Sequence, residues 1–495
     1  MIDSSNKLRV SGLASGMNTD EIVANLVKAQ SSRLNKMQQT KITSTWKSDA
    51  YRDINKKVDE FRKSVEGLRL QTTFNKQTVT SSDARIEVST AGTSNLSDFV
   101  ISEATPAESA KPASVSFGSA SASVGASGLT FKLNGKDINL DPNITFDQAI
   151  AKINEISTET NVKATNVGGS LVFTTLGTGL AQKIDIVGVT EPNSLKITNT
   201  TDPTTIVGTD AKAGTVTING TQITVSSNKF TYQGVSFNLK EKIPANSNIS
   251  VQVSSDTQGV FDSVKTFVDK YNELIVDLNG RLSEKRYREY PPLLDDQKKD
   301  MKDTDIKLWD EKAKSGVLTS DSTIRSFLTE MRNSLISTVQ NSGSFSSLKD
   351  IGINFSSNYR DNGKLVLDEA KLKGVLQTNL EDVKKLFTTK EPATGSATTA
   401  TDNNLHEKSG FGWRIYDRLK VTITQLGSLA GSPNSTVDTN SFMAKQIKSI
   451  DANIYREQDK INAYEQRLWK QFGAMEKALQ QLNSQGSWLS QQLGM

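Results

Sequence analysis

The clearest hydrophobic pattern in the chain lies in its last segment, residues 441–495. Apolar residues recur there at every seventh position, over more heptads than the three or four that predict a coiled coil. They are Ile447, Ile454, Ile461, Leu468, Met475, Leu482 and Leu489. The matching d positions are only partly apolar, because Glu457, Gln471 and Gln485 lie among them. The pattern predicts a long terminal helix with an imperfect coiled-coil seam; an amphipathic helix packed in a bundle is the alternative.

The N-terminal region carries a second apolar stripe of the same period. Its first members are Val23, Val27, Leu34 and Met37. This frame lapses at the polar residues Lys41, Ser44 and Ser48, and a new frame begins at Tyr51. Because a shift of phase interrupts a supercoil or a helix, we predict a segment boundary at 41–48. The first helix is predicted to have its N-cap at Thr19, which two acidic residues follow.

Residues 78–256 show the alternation of apolar and polar positions that is typical of half-buried strands. Two Asn-Gly pairs, Asn134-Gly135 and Asn219-Gly220, lie between such runs. Asn-Gly is the strongest short signal for a β-hairpin, because both turn positions need a positive φ. The sequence therefore predicts two tight hairpins in a β-rich middle region.

This β-rich region is predicted to form two lobes, with one inserted into the other. Strand-like runs before residue 110 and after residue 208 flank a unit that contains one helix. Thr145 and Gln148 have the spacing of a capping box at the start of that helix. A tandem order of the two lobes is the competing interpretation.

Helical periodicity returns at residue 257, where apolar a and d positions continue for three heptads. The highly charged segment 281–314 mixes both signs of charge and is predicted to be a solvated excursion. Ser320 or Asp321 is then predicted to cap a further helix. A hairpin turn is predicted at 361–363, where the residues are Asp-Asn-Gly.

The composition excludes several classes of chemistry. The chain has no cysteine and a single histidine, which excludes disulfides, thiolate zinc sites and cysteine nucleophiles. Its 59 Lys and Arg residues against 55 Asp and Glu leave a net charge of +4, too small over this length to indicate a nucleic-acid partner. No apolar run approaches the length of a transmembrane helix, and the start of the sequence carries no secretory signal. We therefore expect no nucleic-acid partner and no membrane insertion.

The candidate catalytic and metal sites carry little chemistry. His406 follows the aperiodic tract 391–404, which is predicted to be a mobile loop, and no Gly-x-Ser-x-Gly elbow accompanies it. Residues 358–369 have the length of a calcium loop, but Arg360 stands at a ligand position and opposes cation binding. We expect no catalytic residue, no cofactor and no metal. What remains is an interaction protein whose terminal apolar stripes need a partner.

Several stretches of this sequence resemble the flagellar filament cap proteins, the hook-associated protein 2 family, in the same order along the chain. They are SGLASGMNTDEIVANLVKAQ at 11–30, FVDKYNELI at 267–275, GVLTSDSTIRSFL at 316–328, LKDIGINF at 348–355 and FGAMEKALQQLNSQGSWLSQQL at 472–493. They cover both helical ends and the segment after residue 257, whereas the middle matches loosely. One departure is Asn18, where the family usually has Asp.

The resemblance implies an α+β multidomain fold with terminal coiled-coil helices, a helical-bundle leg domain and two inserted β-rich head domains. The predicted segments are a coiled-coil leg segment at 1–42 that orders on assembly, a helical-bundle domain at 43–78 and 257–440, a head domain at 79–110 and 208–256, an outer head domain at 111–207, and a C-terminal coiled-coil leg helix at 441–495. We expect the terminal segments to reach the filament and the β-rich lobes to form the head.

The resemblance also implies a function that is structural and not enzymatic. Such a protein forms a homo-oligomeric ring at the distal tip of the bacterial flagellum, where it retains exported flagellin and promotes its insertion; adhesion to surfaces is a further implied role. The implied partners are other copies of the chain, flagellin and the hook-associated proteins of the filament tip, and a flagellar export chaperone. The implied location is extracellular, after export by the flagellar type III apparatus without a cleaved signal. The alternatives are a flagellin, a hook–filament junction protein, or a secreted adhesin that uses the β-rich lobes.

Docking into a filament of paired helices is expected to bury the apolar stripes of both ends. The predicted partner-binding residues, for the filament and the chaperone, are Val27, Leu34, Ile454, Ile461, Leu468, Met475, Leu482 and Leu489. Polar d positions such as Gln471 and Gln485 are expected to keep that docking reversible, as a cap that steps forward after each insertion requires.

Overall fold

The computed structural model describes residues 16–94, 98–109, 115–117, 127–167, 170–190, 195–197, 205–207, 210–390, 407–432 and 438–494. The chain divides into two compact units. A helical unit combines Met1–Thr73 with Thr257–Met495, and a β-rich unit comprises Phe74–Asp256. The helical ends and the β-rich middle confirm the predicted α+β class. The finer segment boundaries stay predictions.

The helices and strands follow the chain in this order. The helices are α1 (Thr19–Gln30), α2 (Ser32–Val65), α3 (Gln71–Phe74), α4 (Phe146–Glu155), α5 (Ser157–Thr160), α6 (Thr257–Ser283), α7 (Asp295–Lys298), α8 (Asp303–Lys314), α9 (Ser322–Ile336), α10 (Glu369–Thr388), α11 (Phe411–Ala430) and α12 (Phe442–Leu493). The strands are β1 (Gln77–Ser81), β2 (Ile86–Thr90), β3 (Asp98–Thr105), β4 (Val115–Phe117), β5 (Leu129–Leu133), β6 (Lys136–Leu140), β7 (Val162–Val167), β8 (Ser170–Thr175), β9 (Asp185–Val187), β10 (Leu195–Ile197), β11 (Thr205–Val207), β12 (Gly214–Ile218), β13 (Thr221–Val225), β14 (Lys229–Tyr232), β15 (Val235–Leu239), β16 (Ile249–Ser255), β17 (Ile353–Phe355) and β18 (Leu365–Leu367).

The core of the helical unit lies between α2, α6, α10 and α11. The predicted a and d residues of α6 face it: Val264, Val268 and Leu278 are buried. Phe61 of α2 stacks on Phe267 of α6, with 6.2 Å between the ring centroids. Burial of such apolar surface is the main force that holds the helices together, because each buried aliphatic side chain contributes roughly 1.5–3 kcal/mol.

Of the two predicted caps for the next helix, Asp321 is the N-cap of α9. Its carboxylate accepts hydrogen bonds from the backbone amides of Thr323, at 3.1 Å, and Ile324, at 3.3 Å. The same carboxylate accepts a hydrogen bond from the Tyr51 hydroxyl and pairs with the Lys47 ammonium at 3.1 Å. A single cap residue therefore also ties α9 to α2.

The predicted boundary at 41–48 is wrong as a break, because α2 runs through it without interruption. The hydroxyls of Thr40, Thr43 and Thr45 donate to the carbonyls four residues earlier at 2.8, 2.9 and 3.1 Å. Polar residues of this kind satisfy themselves on the helix, so they interrupt the apolar stripe but not the hydrogen-bond ladder. The chain breaks instead between α1 and α2, at Ser31.

The charged segment 281–314 is not simply a solvated excursion, because it has helices and a buried side chain of its own. It contains α7 and α8, and it buries Leu293. The Trp309 indole donates to the Pro291 carbonyl at 2.7 Å and meets the Tyr290 ring edge-on at 4.8 Å. The Gln39 amide of α2 donates to the Pro292 carbonyl at 3.2 Å. The segment therefore docks on α2 at Gln39, and the Lys314 ammonium lies over the Trp46 ring at 5.4 Å.

The β-rich unit contains a base lobe made of strands from both sides of an insertion. One sheet has the order β1-β16-β3-β12-β13, and a second has the order β14-β15-β2. Strands that precede residue 110 therefore pair with strands that follow residue 208, through β1 with β16 and β3 with β12. This pairing confirms the inserted arrangement and contradicts the tandem one. Phe99 and Phe237 meet edge-on in the core of this lobe, 5.9 Å apart.

The inserted segment forms an outer lobe with its own core. Its sheets have the orders β10-β4-β8-β7 and β11-β9-β5-β6. Phe131 and Phe173 meet edge-on at 6.3 Å, and Ile153 of α4 is fully buried among them. The predicted capping box is confirmed: the Thr145 hydroxyl accepts from the Gln148 amide at 3.2 Å, and the Gln148 side chain accepts from the Thr145 amide at 2.9 Å.

Both predicted Asn-Gly hairpins are confirmed. Asn134 has a φ of 49° and Gly135 one of 82°, and Asn219 and Gly220 have 51° and 79°. Each asparagine also holds a third strand. The Asn134 amide N–H donates to the Asp185 carbonyl at 2.7 Å while its side-chain oxygen accepts from the Asp185 amide at 2.8 Å. Asn219 makes the same pair of bonds with Val100, at 2.8 and 2.7 Å.

The two chain segments that cross between the lobes are bonded to the base lobe and to each other, and the lobes themselves meet closely at Gly179. Glu108 and Lys212 form an antiparallel bridge, with backbone N–H···O distances of 3.0 and 3.2 Å. The Asn228 side chain accepts from the Ala107 amide at 2.6 Å and donates to the Ala107 carbonyl at 3.1 Å. Gly179 of the outer lobe approaches the Ser226 carbonyl so closely that a Cβ would lie 1.1 Å from its oxygen.

The terminal helix pair as candidate functional site

The terminal helices that the sequence singles out both form, and each has a side-chain cap. In α12 the Ser441 hydroxyl accepts from the Ala444 amide at 3.2 Å. The helix has 52 residues, which is about 78 Å at a rise of 1.5 Å per residue. The cap of α1 is Asn18 and not Thr19: its side-chain oxygen accepts from the Glu21 amide at 3.2 Å. The residue that departs from the family pattern therefore performs the capping itself.

The helix α12 runs antiparallel to α1 and α2 and packs against both. We call α12 together with the N-terminal arm of α1 and α2 the helix pair. Lys41 of α2 pairs with Asp451 at 2.6 Å, and Arg33 lies 3.9 Å from Glu457. As the residue number falls along α2 it rises along α12, which defines the antiparallel sense. Equal helical rise on both sides then brings Val23 of α1 level with Leu468.

Part of the predicted partner-binding stripe is used inside this pair. Leu34, Ile461 and Leu468 are buried, with exposed fractions of 6%, 3% and 7%. Val27, Ile454 and Met475 are half-buried. The expectation that the terminal stripes lack an internal partner is therefore wrong for this stretch. Each end supplies the apolar face that the other needs, because burial of both stripes removes apolar surface from water.

The far end of α12 presents the rest of the stripe to solvent. Leu482 is 61% exposed and Leu489 is 53% exposed, and Trp488 beside them is 57% exposed. By the same register Thr19 lies level with residue 472, so residues 473–493 extend past it over about 32 Å of helix. No charged residue occurs from 478 to 493. This end is thus a neutral helix with large exposed apolar side chains.

The pair contains one buried charge, at a d position that the sequence shows as a flaw in the seam. The Glu457 side chain is 8% exposed and lies 3.2 Å from Lys460 as well as near Arg33. A buried polar group in a coiled-coil seam fixes register and orientation at a cost in stability. Trp488 is an exposed apolar residue at the far end of α12 that heptad counting misses, because it lies outside the a and d positions.

The remaining candidate sites add no chemistry to this picture. Within the part of the chain that the structure describes, no three Asp, Glu or His side chains come together as a metal site. The predicted turn at 361–363 instead lies in the loop between β17 and β18, residues 365–367 form β18, and Asp368 caps α10. His406 and the tract 391–404 lie outside the described residues. No helix among those described has a long enough apolar stretch to cross a lipid bilayer.

Two family models match this chain. The model described as Flagellar hook-associated protein 2 N-terminus matches residues 15–107, and the one described as Flagellar hook-associated protein 2 C-terminus matches residues 210–484. The second match alone covers more than half of the chain. This chain belongs to the flagellar hook-associated protein 2 family. The matched regions contain α1, the base lobe and most of α12, whereas the outer lobe lies between them.

Members of the flagellar hook-associated protein 2 family match over nearly the whole length of the chain. A relative of that name from Halalkalibacterium halodurans is 29% identical, over 98% of this chain and 99% of its own. The relative from Escherichia coli is 23% identical, over 97% of each chain. A crystal structure of the flagellar cap protein D1-D2-D3 domains from Escherichia coli superposes with a TM-score of 0.51 and 20% identity, over 81% of this chain and 99% of that one. The fold is therefore shared.

Family and fold together give this chain the role of a flagellar filament cap, which is a structural role. The family match decides against a flagellin or a hook–filament junction protein. The partner-binding assignments and a role of the β-rich lobes in adhesion stay predictions.

Proposed function

We propose that copies of this chain form a ring at the distal tip of the flagellar filament, where the ring retains exported flagellin and promotes its insertion. The observation that carries this proposal is the exposed apolar end of α12, with Leu482, Trp488 and Leu489. Isolated exposed apolar residues are ordinary, but a row of them on an uncharged helix end is typical of a surface that a partner covers. The filament tip and its hook-associated proteins are the proposed partners.

The predicted partner-binding residues divide into two groups in this proposal. The buried residues Leu34, Ile461 and Leu468 hold the terminal helices together. They therefore affect partner binding only indirectly, through the geometry of the helix pair. Leu482 and Leu489 reach the partner directly. Trp488 joins them, because an aromatic side chain buries a large area at an interface. The half-buried Val27, Ile454 and Met475 lie on the same apolar stripe.

Before assembly the same apolar end needs protection, which we assign to an export chaperone that holds α12. Export through the flagellar type III apparatus, without a cleaved signal, would deliver the chain unfolded to the tip. The absence of cysteine suits this route, since no disulfide can form in transit. The absence of charge from 478 to 493 also predicts that docking depends little on salt, because apolar contacts are not screened by ions.

A matched pair of variants tests the docking surface. Leu482→Glu with Leu489→Glu places charge on the exposed stripe, and we expect loss of motility with flagellin monomer released into the medium. Ser487→Glu is the control, because Ser487 is exposed on the opposite face of the same turn. Both proteins should fold equally well, since neither change touches the buried helix pair. Normal filaments from the double variant would refute the docking assignment.

The solution state tests the ring separately. Mass photometry of the purified protein should show closed oligomers, since head-to-tail contacts between identical subunits form a ring when the rotation between neighbours closes. A protein that remains monomeric at every concentration, alone and at filament tips, would contradict the ring.

A further inference from the structure

Four Asn-Gly pairs occur in this sequence, and the structure places them in four different environments. They are Asn134-Gly135, Asn219-Gly220, Asn279-Gly280 and Asn362-Gly363. Asparagine is among the thermolabile residues, and a following glycine offers the least steric hindrance to its loss. The sequence alone therefore ranks the four pairs equally. The hydrogen bonds of the four asparagines, in contrast, differ from one pair to the next.

We propose that Asn362-Gly363 is a site of spontaneous deamidation in the folded protein and that the fold protects the pairs at 134 and 279. The amide nitrogen of Gly363 attacks Cγ of Asn362, so that a C–N bond forms and closes a succinimide ring. The Cγ–Nδ2 bond breaks, and Nδ2 leaves as ammonia with the proton from Gly363. Water then opens the ring at either carbonyl and gives aspartate or isoaspartate. The only co-reactant is water.

At Asn362 the reacting groups are free. Asn362 is exposed, with a φ of 51°. Within the part of the chain that the structure describes, its side chain makes no hydrogen bond and the Gly363 N–H donates none. No side-chain hydrogen bond therefore has to break when Cγ of Asn362 approaches the Gly363 nitrogen, and the only barrier is rotation of the exposed backbone from its ψ of 37°.

At Asn134 three hydrogen bonds hold the side-chain amide in place. Nδ2 donates to the carbonyls of Thr160, at 2.8 Å, and Lys183, at 2.7 Å. The side-chain oxygen accepts from the Asp185 amide at 2.8 Å. Attack requires the amide to leave all three bonds, so the reaction slows by at least about tenfold.

Of the other two Asn-Gly pairs, one is weakly held and the other is held inside a helix. Asn219 is exposed and its side-chain oxygen has one partner, the Val100 amide at 2.7 Å. Asn279 lies inside α6, where its side chain donates to the Ile275 carbonyl at 2.8 Å. The Gly280 amide is there held in the helical ladder and cannot act as a nucleophile without local unfolding. The predicted order of reaction is Asn362, then Asn219, with Asn134 and Asn279 last.

Reaction at Asn362 has a structural consequence. The Gly363 carbonyl accepts from the Tyr271 hydroxyl at 3.1 Å, and the Asn272 side chain pairs with the amide and carbonyl of Leu365 at 2.7 and 2.8 Å. Isoaspartate adds one methylene to the main chain at this turn, which displaces Gly363 from Tyr271. The hairpin of β17 and β18 should loosen from α6 in the modified protein.

The test follows all four sites in one sample. The full-length protein is incubated in mildly alkaline buffer, folded and in urea, and peptides prepared at acidic pH are scored for the one-dalton gain and for isoaspartate. In urea the four sites should react at similar rates; in the folded protein Asn362 should react at least about tenfold faster than Asn134 or Asn279. Asn362→Gly keeps the left-handed turn and should remove the first modification to appear while the other three rates stay unchanged. Modification of Asn134 or Asn279 as fast as Asn362, or an unmodified Asn362 in the folded state, overturns the proposal.

Discussion

Packing of α1 on α12 within one chain gives a quantitative prediction for two leucines of the same helix. Leu468→Ala removes a buried side chain from the pair, whereas Leu482→Ala removes one that is 61% exposed. Both variants change the same atoms at the same heptad position, two heptads apart. Their difference therefore isolates burial within the free subunit.

The magnitude follows from the burial. A buried Leu→Ala change costs about 2–5 kcal/mol, and Leu468 belongs at the lower end because it keeps an exposed fraction of 7%. A loss of about 2 kcal/mol raises the open population of the pair roughly 30-fold, at 1.36 kcal/mol for each factor of ten. An exposed substitution changes stability by no more than about 0.5 kcal/mol, which is roughly twofold.

Amide hydrogen exchange of α1 measures this opening directly, because the helix exchanges when it detaches from α12. We expect amides of Thr19–Gln30 to exchange roughly 30-fold faster in Leu468→Ala and to stay within about twofold of the parent in Leu482→Ala. The same exchange rates in both variants would refute the reasoning, since α1 would then not depend on the buried part of α12. Exchange in the β-rich unit serves as the internal reference.

Two further predictions concern the fold. Gly179→Ala should destabilise the β-rich unit in urea denaturation by more than Gly188→Ala, because both glycines have a positive φ but only Gly179 faces a backbone oxygen at 1.1 Å from the new Cβ; equal losses would contradict the close approach. Burial alone would raise the pKa of the Asp321 carboxyl, but hydrogen bonds from Tyr51, Lys47 and a backbone amide outweigh it and hold the pKa below its ordinary value. The stability that this carboxylate contributes is present above about pH 4 and is lost as the pH falls through the lower folded-state pKa. Asp321→Asn should therefore lower the free energy of unfolding at neutral pH and lose that effect in acid, and a difference that does not change with pH would contradict the assignment.

Local signals in the sequence predict local structure well in this protein. The Asn-Gly hairpins and the Thr145 capping box form as expected, since a few neighbouring residues decide each of them. The predicted break in α2 is wrong, because a local pattern was used there to predict how a long helix packs. A lapse of the apolar stripe says which face lacks a helix partner, but the helix continues there because the hydroxyls of Thr43 and Thr45 bond to its own carbonyls.

The same distinction between local pattern and tertiary contact applies to the candidate site. Heptad counting finds the residues of the stripe, and the family match gives them a setting. It cannot say which of them meet each other, because a buried leucine and an exposed one have the same spacing. Leu468 and Leu482 differ only in whether α1 reaches them. Trp488 lies outside the a and d positions, so only its exposure brings it into the site.

The sequence by itself determined the helical ends, the β-rich middle and the family, because periodicity, turn residues and characteristic stretches are properties of short segments. The tertiary structure decided which strands pair across the insertion, that α12 packs along α1 and α2, and that only the far end of the terminal stripe is free to meet a partner. Those outcomes depend on contacts between residues that are hundreds of positions apart, such as Arg33 with Glu457. No local pattern specifies such contacts, since they form only when distant surfaces are buried against one another.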